Sequence, residues 1–509
     1  MSQDPNQPWS ARRRRFLQGM AVSTVAATGL TGIAEEARAD IDVNEIGRIP
    51  AAQREPLAQA VKGKVYWWDE PGYELARAST AYRANKPNRF PRVVVRPNDD
   101  QDVVAAVRFA KAHGMQVTTR SGGHSWSSSH IRDRVMLIDL SRMQSIEIDP
   151  KTRTLWVNPG VIGSRINSEL AAHNLIIPTA HHPSPGIGGF CMNGGYGWNS
   201  RLWGNGAAHI LAIDVVTADG KLIRADEKQN SDFLWAAAGS GAGFFGVITR
   251  MKLQAHDLPK VMKVSAYSFH EEVVEELFTW ARNLVPKIPP YLEFIMSSTA
   301  FDSKTGEPSP VRITMAGLAL TDSEADADAA LDLLKTCPCI DKAYFHVEKK
   351  PTSLEERYAS GYAADPSGFR FAADCAWTNA PAEVLTPRMR SIFCQPPTPH
   401  THVFWFAWGP TKPYPKPMAL SVQADVFIGA YTLWQDPAQD AEMEAWPVKK
   451  MRELDDVSVG AQMNDENMLH HPQRYLSAEA YAKLECLRAK HDPDRVFASF
   501  LGLPYRTTI

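Results

Sequence analysis

Two glycine-rich segments hold the residues of this chain that are best suited to chemistry. The first runs from Arg120 to Ser125, reads RSGGHS, and carries a single histidine, His124. In the second, six of the twelve residues from Gly186 to Gly197 are glycine. Because glycine has no Cβ atom, backbone N–H groups in such segments can closely approach a flat or charged ligand. The combination indicates a large, planar, phosphate-bearing cofactor whose ring lies within reach of His124.

The same segments resemble a known enzyme family. The motif RSGGH, which ends at His124, and the motif GIGGxxxNGGYG, which starts at Gly186, resemble the berberine-bridge-enzyme-like branch of the vanillyl-alcohol-oxidase flavoproteins. The similarity extends over residues 135–143, 212–220, 230–249 and 487–497. The resemblance implies an FAD-linked oxidoreductase with a PCMH-type FAD-binding domain.

The resemblance also implies which residues contact FAD. The backbone of the first segment, with two glycine pairs of the second, is expected to hold the pyrophosphate, and residues 246–248 are expected to face the adenine. The predicted set is Arg120, Ser121, Gly122, Gly123, His124, Ser125, Gly186, Ile187, Gly188, Gly189, Asn193, Gly194, Gly195, Tyr196, Gly197, Gly246, Val247 and Ile248. No metal site is expected, because the histidine pairs at 181–182 and 470–471 have no acidic or thiol residues clustered nearby.

His124 is predicted to bond covalently to the flavin. An imidazole nitrogen is nucleophilic enough to add to an activated flavin methyl carbon, and the matching histidine of the family does so. The alternative is a histidine that only packs beside a glycine turn. Many relatives add a second bond from a cysteine, but His182 occupies about that position and Cys191 lies too far along the chain. We therefore expect a single covalent link.

The catalytic base is harder to assign. Relatives often carry a glutamate before a Pro-Tyr-Gly-Gly turn, but residues 405–410 here read WFAWGP and contain no acid. Relatives also place a tyrosine two positions before an asparagine, whereas this chain keeps Asn464 and has Gln462 in place of the tyrosine. Tyr431 is the remaining candidate, with core packing as its alternative. The second choices are Asn464, Asp425 and His402.

Two further features bear on substrate and electron acceptor. Alternation along a strand places Phe404, Phe406 and Trp408 on one face and Trp405 on the other. The three rings on the first face could line a binding site for a ring system or a sugar. The alternative is that they belong to the hydrophobic core. Ile187 lies between two glycines at the presumed flavin edge. At that position its branched side chain would restrict the access of oxygen to the reactive flavin carbon. The enzyme would then be a dehydrogenase that passes electrons to a quinone or a haem protein. The alternative is that Ile187 only packs against its neighbours.

The elements that must position these residues can be predicted in part. A strand at 92–95, a helix capped by Asp99 or Asp100, and a strand at 116–119 form a βαβ unit that leads into the first glycine segment. Further strands are expected at 135–139, 154–158 and 246–252, and a hairpin turns at Asp219-Gly220. Beyond residue 264, short β-rich runs alternate with helices, which is typical of an antiparallel sheet with helices on one face.

These elements, with the resemblance, predict an α+β protein. We expect a PCMH-type FAD-binding domain of two subdomains at 56–258 and a substrate domain at 259–455 with an antiparallel sheet covered by helices. We expect a C-terminal segment, 456–509, to return to the FAD-binding domain.

The first 39 residues are predicted to be a signal peptide. Arg12–Arg15 precede Phe16-Leu17, an uncharged apolar stretch at 19–33 and an A-x-A cleavage motif at 37–39. The pattern resembles a twin-arginine export signal, which implies a periplasmic or secreted protein. The alternative is a membrane anchor, but the stretch is too short and too weakly apolar to span the bilayer. The route exports folded proteins and so suits an enzyme that acquires its cofactor in the cytoplasm.

Composition excludes several other classes. The net charge is −2 and no basic patch alternates with aromatic residues, so nothing indicates nucleic-acid binding. Six cysteines in 509 residues are too few for a disulfide framework. No stretch after residue 39 is long and apolar enough for a stable membrane span.

The main hypothesis is a periplasmic FAD-dependent oxidoreductase that oxidises a C–OH or C–N bond. Its small-molecule substrate would be a medium-sized compound such as a sugar derivative, an aromatic alcohol or an alkaloid-like amine. The alternatives are an amine- or lactone-forming oxidase, and a flavin-carrying binding or electron-transfer protein without catalysis. Oxygen, a quinone and a haem protein all stay open as electron acceptors.

Overall fold

The computed structural model describes residues 49–301, 307–411, 413–414 and 416–502. The predicted signal peptide lies outside these ranges. Among the helices within them, none is long and apolar enough to cross a membrane.

A small sheet carries the first glycine segment at one strand end. Its strands are β1 (Lys64–Trp67), β2 (Val93–Arg96), β3 (Val117–Arg120) and β4 (Met136–Asp139), in the order β1-β2-β4-β3. The accompanying helices are α1 (Ala51–Ala60), α2 (Tyr73–Ala78) and α3 (Asp100–Ala112). The predicted cap of α3 is Asp99, whose carboxylate accepts bonds from the N–H groups of Gln101 and Asp102. The strands β2 and β3 are not neighbours as a minimal βαβ unit would have them, because β4 lies parallel between them.

A second, antiparallel sheet follows in the chain. Its strands are β5 (Ile146–Asp149), β6 (Thr154–Val157), β8 (Ile210–Val216), β9 (Leu222–Ala225) and β10 (Val247–Gln254), in the order β5-β6-β10-β8-β9. The short strands β7 (Leu175–Ile176) and β11 (His256–Asp257) pair with each other. The helices are α4 (Gly163–Ala171), α5 (Ile187–Met192), α6 (Ser200–Trp203) and α7 (Ser231–Ala237). The second glycine segment is therefore partly helical, since α5 begins directly after Gly186.

A third, larger sheet has eight strands, and every neighbouring pair is antiparallel. Its strands are β12 (Val261–Phe269), β13 (Leu292–Phe301), β14 (Pro308–Thr321), β15 (Phe345–Pro351), β16 (Arg370–Thr378), β17 (His402–Phe406), β18 (Val426–Trp434) and β19 (Ser458–Gly460). The order is β15-β12-β14-β13-β17-β18-β16-β19. The helices in this part are α8 (Val274–Leu284), α9 (Glu324–Asp332), α10 (Leu354–Ala364), α11 (Ala382–Phe393) and α12 (Asp440–Met451).

The two faces of this third sheet differ. On one face Phe294, Met296 and Trp405 pack into a core with side chains of α8, α9 and α11. The opposite face turns the alternate residues, such as Ile295 and Phe404, toward a cavity. The predicted α+β class, with an antiparallel sheet covered by helices, is confirmed.

The end of the chain joins the first sheet. After α13 (Ala478–His491), the N–H of Val117 donates to the carbonyl of Val496 at 2.7 Å, and the N–H of Ala498 donates to the carbonyl of Val117 at 3.0 Å. The buried guanidinium of Arg488 donates to the carbonyl of Gly243 at 2.9 Å. These bonds fix the last described residues beside the strand that leads into the first glycine segment.

Candidate active site

A cavity of about 760 Å³ lies between the glycine segments and the face of the third sheet that carries Ile295 and Phe404. Its size falls within the roughly 300–1,000 Å³ typical of small-molecule and cofactor pockets. One side is lined by residues 120–125 with Gly186, Gly188 and Gly189, and the other by side chains of β13, β14, β17 and β18. The two sides bring together residues more than 200 positions apart in the chain.

The two glycine segments touch backbone to backbone. A Cβ atom on Gly122 would lie 2.1 Å from the nitrogen of Gly186, so no larger residue fits there. Gly123 has a φ of +75°, and a Cβ atom there would lie 1.9 Å from the carbonyl oxygen of Thr80. A Cβ atom on Gly189, in contrast, would meet nothing within 4 Å. The segments thus form a tight backbone floor that leaves open space above Gly189.

An ion pair fixes the start of the first segment. The guanidinium of Arg120 donates to Asp139 at 3.0 Å and to the carbonyl of Gly122 at 2.9 Å, and Arg96 donates to the same carboxylate at 2.8 Å. Burial opposes the charge of Asp139, but the two guanidiniums outweigh it and hold the pKa of this carboxyl below its usual value. The ion pair therefore persists at neutral pH and holds the loop that carries His124.

The ring of His124 has a defined position in the cavity. It stacks on Tyr82 with ring centroids 4.1 Å apart and an interplanar angle of 24°. Its Nε2 atom lies 2.7 Å from Oγ of Ser184, and the ring of His182 is 5.0 Å away. Burial, with His182 and Arg120 nearby, lowers the pKa of His124 well below its usual value. The imidazole is therefore neutral near pH 7 and keeps one nitrogen lone pair.

Most of the predicted cofactor residues line this cavity. They are Arg120, Ser121, Gly122, Gly123, His124, Ser125, Gly186, Gly188, Gly189, Asn193, Tyr196, Gly246 and Ile248. The residues outside the lining are Ile187, Gly194, Gly195, Gly197 and Val247. The three glycines of this second set pack against other parts of the chain. A Cβ atom added to Gly194 would lie 2.8 Å from Leu420, and one added to Gly195 would lie 2.4 Å from Phe190. A Cβ atom added to Gly197 would lie 1.8 Å from the carbonyl oxygen of Thr179.

The expected role of Ile187 is wrong. The side chain is fully buried and packs in a core with residues such as Val161 and Phe190. As the first residue of α5, Ile187 is directed into that core while its glycine neighbours line the cavity. It cannot restrict oxygen at the cavity surface, and the alternative of simple packing holds.

Tyr431 and Asn464, two of the candidate catalytic residues, do line the cavity. Tyr431 is buried, stacks on His402 with centroids 5.1 Å apart, and lies close enough to Asp465 for the two groups to shift each other's pKa. The indole N–H of Trp126 also donates to Asp465, at 2.8 Å. Asn464 accepts a bond through Oδ1 from the side-chain amide of Asn193 at 2.9 Å, which links the two sides of the cavity.

Asp425, the third candidate, lies outside the cavity lining. Its carboxylate is half exposed and forms an ion pair with Arg282 of α8 at 3.2 Å. The physical reason is distance along the strand: Asp425 precedes Tyr431 by six residues, or about 20 Å of extended chain. Asp425 is therefore corrected from a catalytic candidate to a surface ion-pair residue.

Three cavity carboxyls were missed by the sequence analysis. Burial raises the pKa of Asp465 to about 6 and the pKa values of Asp365 and Glu466 to about 7. Glu466 accepts a bond from Oγ of Ser127 at 2.6 Å. The pair Asp465-Glu466 directly follows Asn464, the asparagine that this chain shares with its relatives. The position of Asn464 could therefore have indicated that these two carboxyls lie at the site. Asp365 follows α10 and had no local signal.

Aromatic rings form the wall opposite the glycine floor. Phe404, Phe406 and Trp408 line the cavity, while Trp405 is buried in the core beneath the helices. The predicted alternation of these four rings is confirmed.

Several buried polar atoms at this wall have no hydrogen-bond partner among the described residues. They are Nε1 of Trp408, Nε2 of His402, Oδ1 of Asp365 and Nε of Arg357. The His402 and Asp365 atoms are 3.3 Å apart but are not aligned for a hydrogen bond. Buried polar groups are usually paired, so unpaired atoms gathered in one cavity indicate a missing ligand.

The residues present fit FAD. The backbone floor with open space above Gly189 suits phosphates and a flat ring, and the neutral His124 stands at its edge. The described residues contain no group of three or more His, Cys, Asp or Glu side chains that could hold a metal ion. The six cysteines are all free thiols.

Comparisons with known proteins agree with this geometry. Residues 91–226 match the family described as FAD binding domain. FAD-linked oxidoreductase ptmO of Penicillium ochrochloron is 27% identical over 428 residues, which cover 84% of this chain and 94% of that protein. This chain is an FAD-linked oxidoreductase.

Solved structures show the fold of the oxidoreductase. The 6-hydroxy-D-nicotine oxidase of Arthrobacter nicotinovorans superimposes with a TM-score of 0.74 at 20% identity, over 87% of this chain and 97% of that one. BBE-like 1 of Physcomitrella patens gives a TM-score of 0.74 at 19% identity, over 89% and 99%. These two structures share the fold of this chain, and the match at residues 91–226 confirms the predicted FAD-binding domain.

Proposed function

We propose that the oxidoreductase oxidises a C–OH bond of a medium-sized organic substrate, with FAD attached through His124 alone. When bound, the flavin accepts a hydride from the carbon that carries the hydroxyl. The observation that supports the proposal is a buried proton acceptor in the cavity, the Tyr431–Asp465 pair.

The proton path runs through both members of this pair. Burial raises the pKa of Tyr431 well above its usual value, so the phenol is protonated and cannot act alone as a base. Asp465 has a pKa of about 6 and is ionised at neutral pH. A substrate hydroxyl can therefore give its proton to Oη of Tyr431 while the tyrosine passes its own proton to Asp465. His402, stacked beside Tyr431, helps to hold the phenol ring in place.

The wall of the cavity indicates the form of the substrate. Phe404, Phe406 and Trp408 offer flat apolar surface for a ring, as aromatic side chains commonly do. Arg357 and Arg312 line the part of the cavity over β13 and β14. Neither arginine has an ion-pair partner among the described residues, and we propose that Arg357 meets an acidic or strongly polar group of the substrate.

Oxidation of a C–N bond is the second candidate. The observation that favours it is the set of three carboxyls in the cavity, Asp365, Asp465 and Glu466, which could bind an amine. The fold neighbour from Arthrobacter is named as a nicotine oxidase. Product mass separates the candidates: a C–OH substrate gives an aldehyde, ketone or lactone, and a C–N substrate gives an imine or its hydrolysis product.

The deciding experiment is anaerobic mixing of the purified holoenzyme with a substrate panel. The panel contains sugar derivatives, aromatic alcohols and alkaloid-like amines, each with and without a carboxylate. We expect flavin bleaching with a C–OH compound, at a rate that increases tenfold per pH unit below about pH 6 and is constant above it. The sign follows because Asp465, which faces Tyr431, Trp126 and Asp365, must be ionised to accept the proton.

The outcomes have distinct meanings. Bleaching only by amines selects the C–N candidate, and no bleaching by any class supports a flavin-carrying protein without catalysis. Reoxidation of the reduced enzyme by oxygen, a quinone or a haem protein then identifies the acceptor.

We also propose export of the mature protein by the twin-arginine route. Arg13 and Arg14 precede the apolar stretch and the A-x-A motif at 37–39. Paired Arg13→Lys and Arg14→Lys substitutions are expected to retain the protein in the cytoplasm, whereas the wild type is expected in the periplasm with Asp40 as its first residue. Wild-type protein found uncleaved in the cytoplasm would contradict this proposal.

A further inference from the structure

We infer that Ser184 and His182 are positioning residues for covalent attachment of the flavin. They hold the ring of His124 and carry away its Nε2 proton when Nδ1 becomes bonded to the flavin. The inference rests on the proposed covalent link at His124 and explains how this chain makes that link with a histidine at position 182.

A continuous chain of hydrogen bonds leads away from His124. The Nε2 atom of His124 is 2.7 Å from Oγ of Ser184, and that oxygen is 3.1 Å from Nδ1 of His182. The other ring nitrogen of His182 is 3.3 Å from the hydroxyl of Tyr82. That hydroxyl donates to the backbone carbonyl of Asp365 at 2.8 Å. Tyr82 thus both stacks on His124 and ends the chain that begins there.

The bonds to backbone atoms set the direction of every proton. The N–H of Ser184 donates to Nδ1 of His182 at 3.2 Å, so Nδ1 is the acceptor and Nε2 of the neutral ring carries the hydrogen. The Ser184 hydroxyl can then also donate to Nδ1 of His182 and accept from Nε2–H of His124. In this arrangement His124 carries its proton on Nε2, and the lone pair on Nδ1 is the free nucleophile.

The environment of both rings suits this role. Burial lowers the pKa of His182 to about 4, so its ring is neutral and can accept a proton. His124 is neutral for the same physical reason. The ring of His124 cannot turn freely, because Tyr82 packs against its face and Ser184 holds its Nε2 edge. Nδ1 is therefore the nitrogen that remains available to the cofactor.

Covalent attachment is a two-electron oxidation of the flavin methyl group. A bond forms between Nδ1 of His124 and the 8α carbon of FAD, while one C–H bond of that methyl group and the Nε2–H bond of His124 break. The Nε2 proton passes through Ser184 to His182. The electron pair of the broken C–H bond stays on the flavin ring, and the methyl proton is released to solvent. Dioxygen then takes two electrons from the reduced ring, together with two protons that equal the two released, and leaves as hydrogen peroxide.

The test follows covalent attachment separately from binding. Protein expressed under riboflavin limitation is incubated with FAD, and the fluorescence that stays with the denatured chain is timed against the total bound flavin. We expect Ser184→Ala and His182→Ala to slow attachment on the order of 100-fold while total flavin binding stays close to wild type. Ser184→Thr keeps the hydroxyl and should restore the rate. The exposed His173 is a matched control, and His173→Ala should attach flavin at the wild-type rate.

Two readouts identify the atoms. Nitrogen-15 NMR of histidine in the flavin-free protein should show the Nε2–H form of His124, and Ser184→Ala should shift it toward a mixture of tautomers. NMR of the isolated flavin peptide should show a bond at Nδ1.

The outcomes distinguish this inference from the proposed function. Wild-type protein that releases all its flavin on denaturation would overturn the covalent link itself. Wild-type protein that keeps its flavin, with Ser184→Ala and His182→Ala attaching it equally fast, would overturn only the relay. A bond at Nε2 would also overturn it, because that nitrogen is the one Ser184 holds.

Discussion

The two walls of the cavity are built in opposite ways. The cofactor wall, residues 120–125 with Gly186, Gly188 and Gly189, consists mainly of backbone, and its polar side chains Arg120, Ser121 and His124 all have hydrogen-bond partners. The substrate wall, formed by His402, Phe404, Phe406 and Trp408 with Arg357, Asp365, Tyr431 and Asp465, consists of side chains and holds several unpaired buried atoms.

The difference separates what is common to such enzymes from what is particular to this one. A backbone floor depends on glycine at a few positions and binds the same cofactor whatever the substrate. A wall of side chains with unpaired polar atoms is complete only when a specific ligand supplies the missing bonds. We therefore expect substitutions in the cofactor wall to affect folding and flavin content, and those in the substrate wall to affect turnover.

The largest effect is expected at the proposed proton acceptor of the substrate wall. Tyr431→Phe and Asp465→Asn should each slow flavin reduction by roughly 100- to 10,000-fold, the range for loss of a general base. Flavin content and thermal stability should change little, since both substitutions preserve shape. Stopped-flow absorbance of the anaerobic holoenzyme measures the rate.

A matched substitution tests the neighbouring ring. His402→Phe keeps the stack on Tyr431 without a titratable group and should leave most of the rate. If His402→Phe abolished reduction and Asp465→Asn did not, the proton acceptor would be the His402–Asp365 pair instead.

The next largest effect is expected in the cofactor wall. Gly122→Ala places a Cβ atom 2.1 Å from the nitrogen of Gly186, so the two segments must separate. Such overpacking costs about 1–3 kcal/mol or more of unfolding free energy, and flavin content should decrease with it. Gly189→Ala is the matched control, because its Cβ atom meets nothing within 4 Å and should leave the stability of the flavin-free protein unchanged. Equal melting temperatures for the two variants would contradict the close backbone contact.

The contrast between the walls also explains what the sequence could predict. The cofactor wall could be located because its glycines and His124 lie within two short segments whose composition is itself the signal. The alternation of Phe404, Trp405 and Phe406 followed from the two-residue period of a strand. Such features depend on residues that are near each other in the chain.

The substrate wall could be predicted only in part, because long-range topology assembles it. Asp365 follows α10, Tyr431 lies on β18 and Asp465 lies beyond β19, and no local pattern shows that they meet. Asp425 is close to Tyr431 in sequence, yet it lies just before the strand that carries Tyr431 and outside the cavity lining. Nor did the motif show that Ile187 starts a helix and faces a core, since its glycine neighbours obscure the helical period.

A smaller effect is expected for Arg357 of the substrate wall. Arg357→Gln removes the charge of a half-buried guanidinium that has an unpaired Nε atom. Loss of one charge-assisted hydrogen bond should raise KM about tenfold for substrates with an acidic group, with kcat nearly unchanged. Arg388, which pairs with Asp456 away from the cavity lining, is the control position, and Arg388→Gln should leave KM unchanged. An equal change in KM for neutral and acidic substrates would show that Arg357 acts through packing.

The smallest effect on stability and activity is expected for Ile187→Val. This substitution tests whether residue 187 belongs to the core or to the cofactor wall. Ile187→Val removes one buried methyl group and should lower the unfolding free energy by about 0.5–1.5 kcal/mol, as such truncations in a core do. The rate at which oxygen reoxidises the reduced enzyme should stay at its wild-type value, because the side chain does not line the cavity. Chemical denaturation measures the first quantity and stopped-flow reoxidation the second. A faster reaction with oxygen at unchanged stability would mean that residue 187 faces the flavin after all, and that the boundary between wall and core lies on its other side.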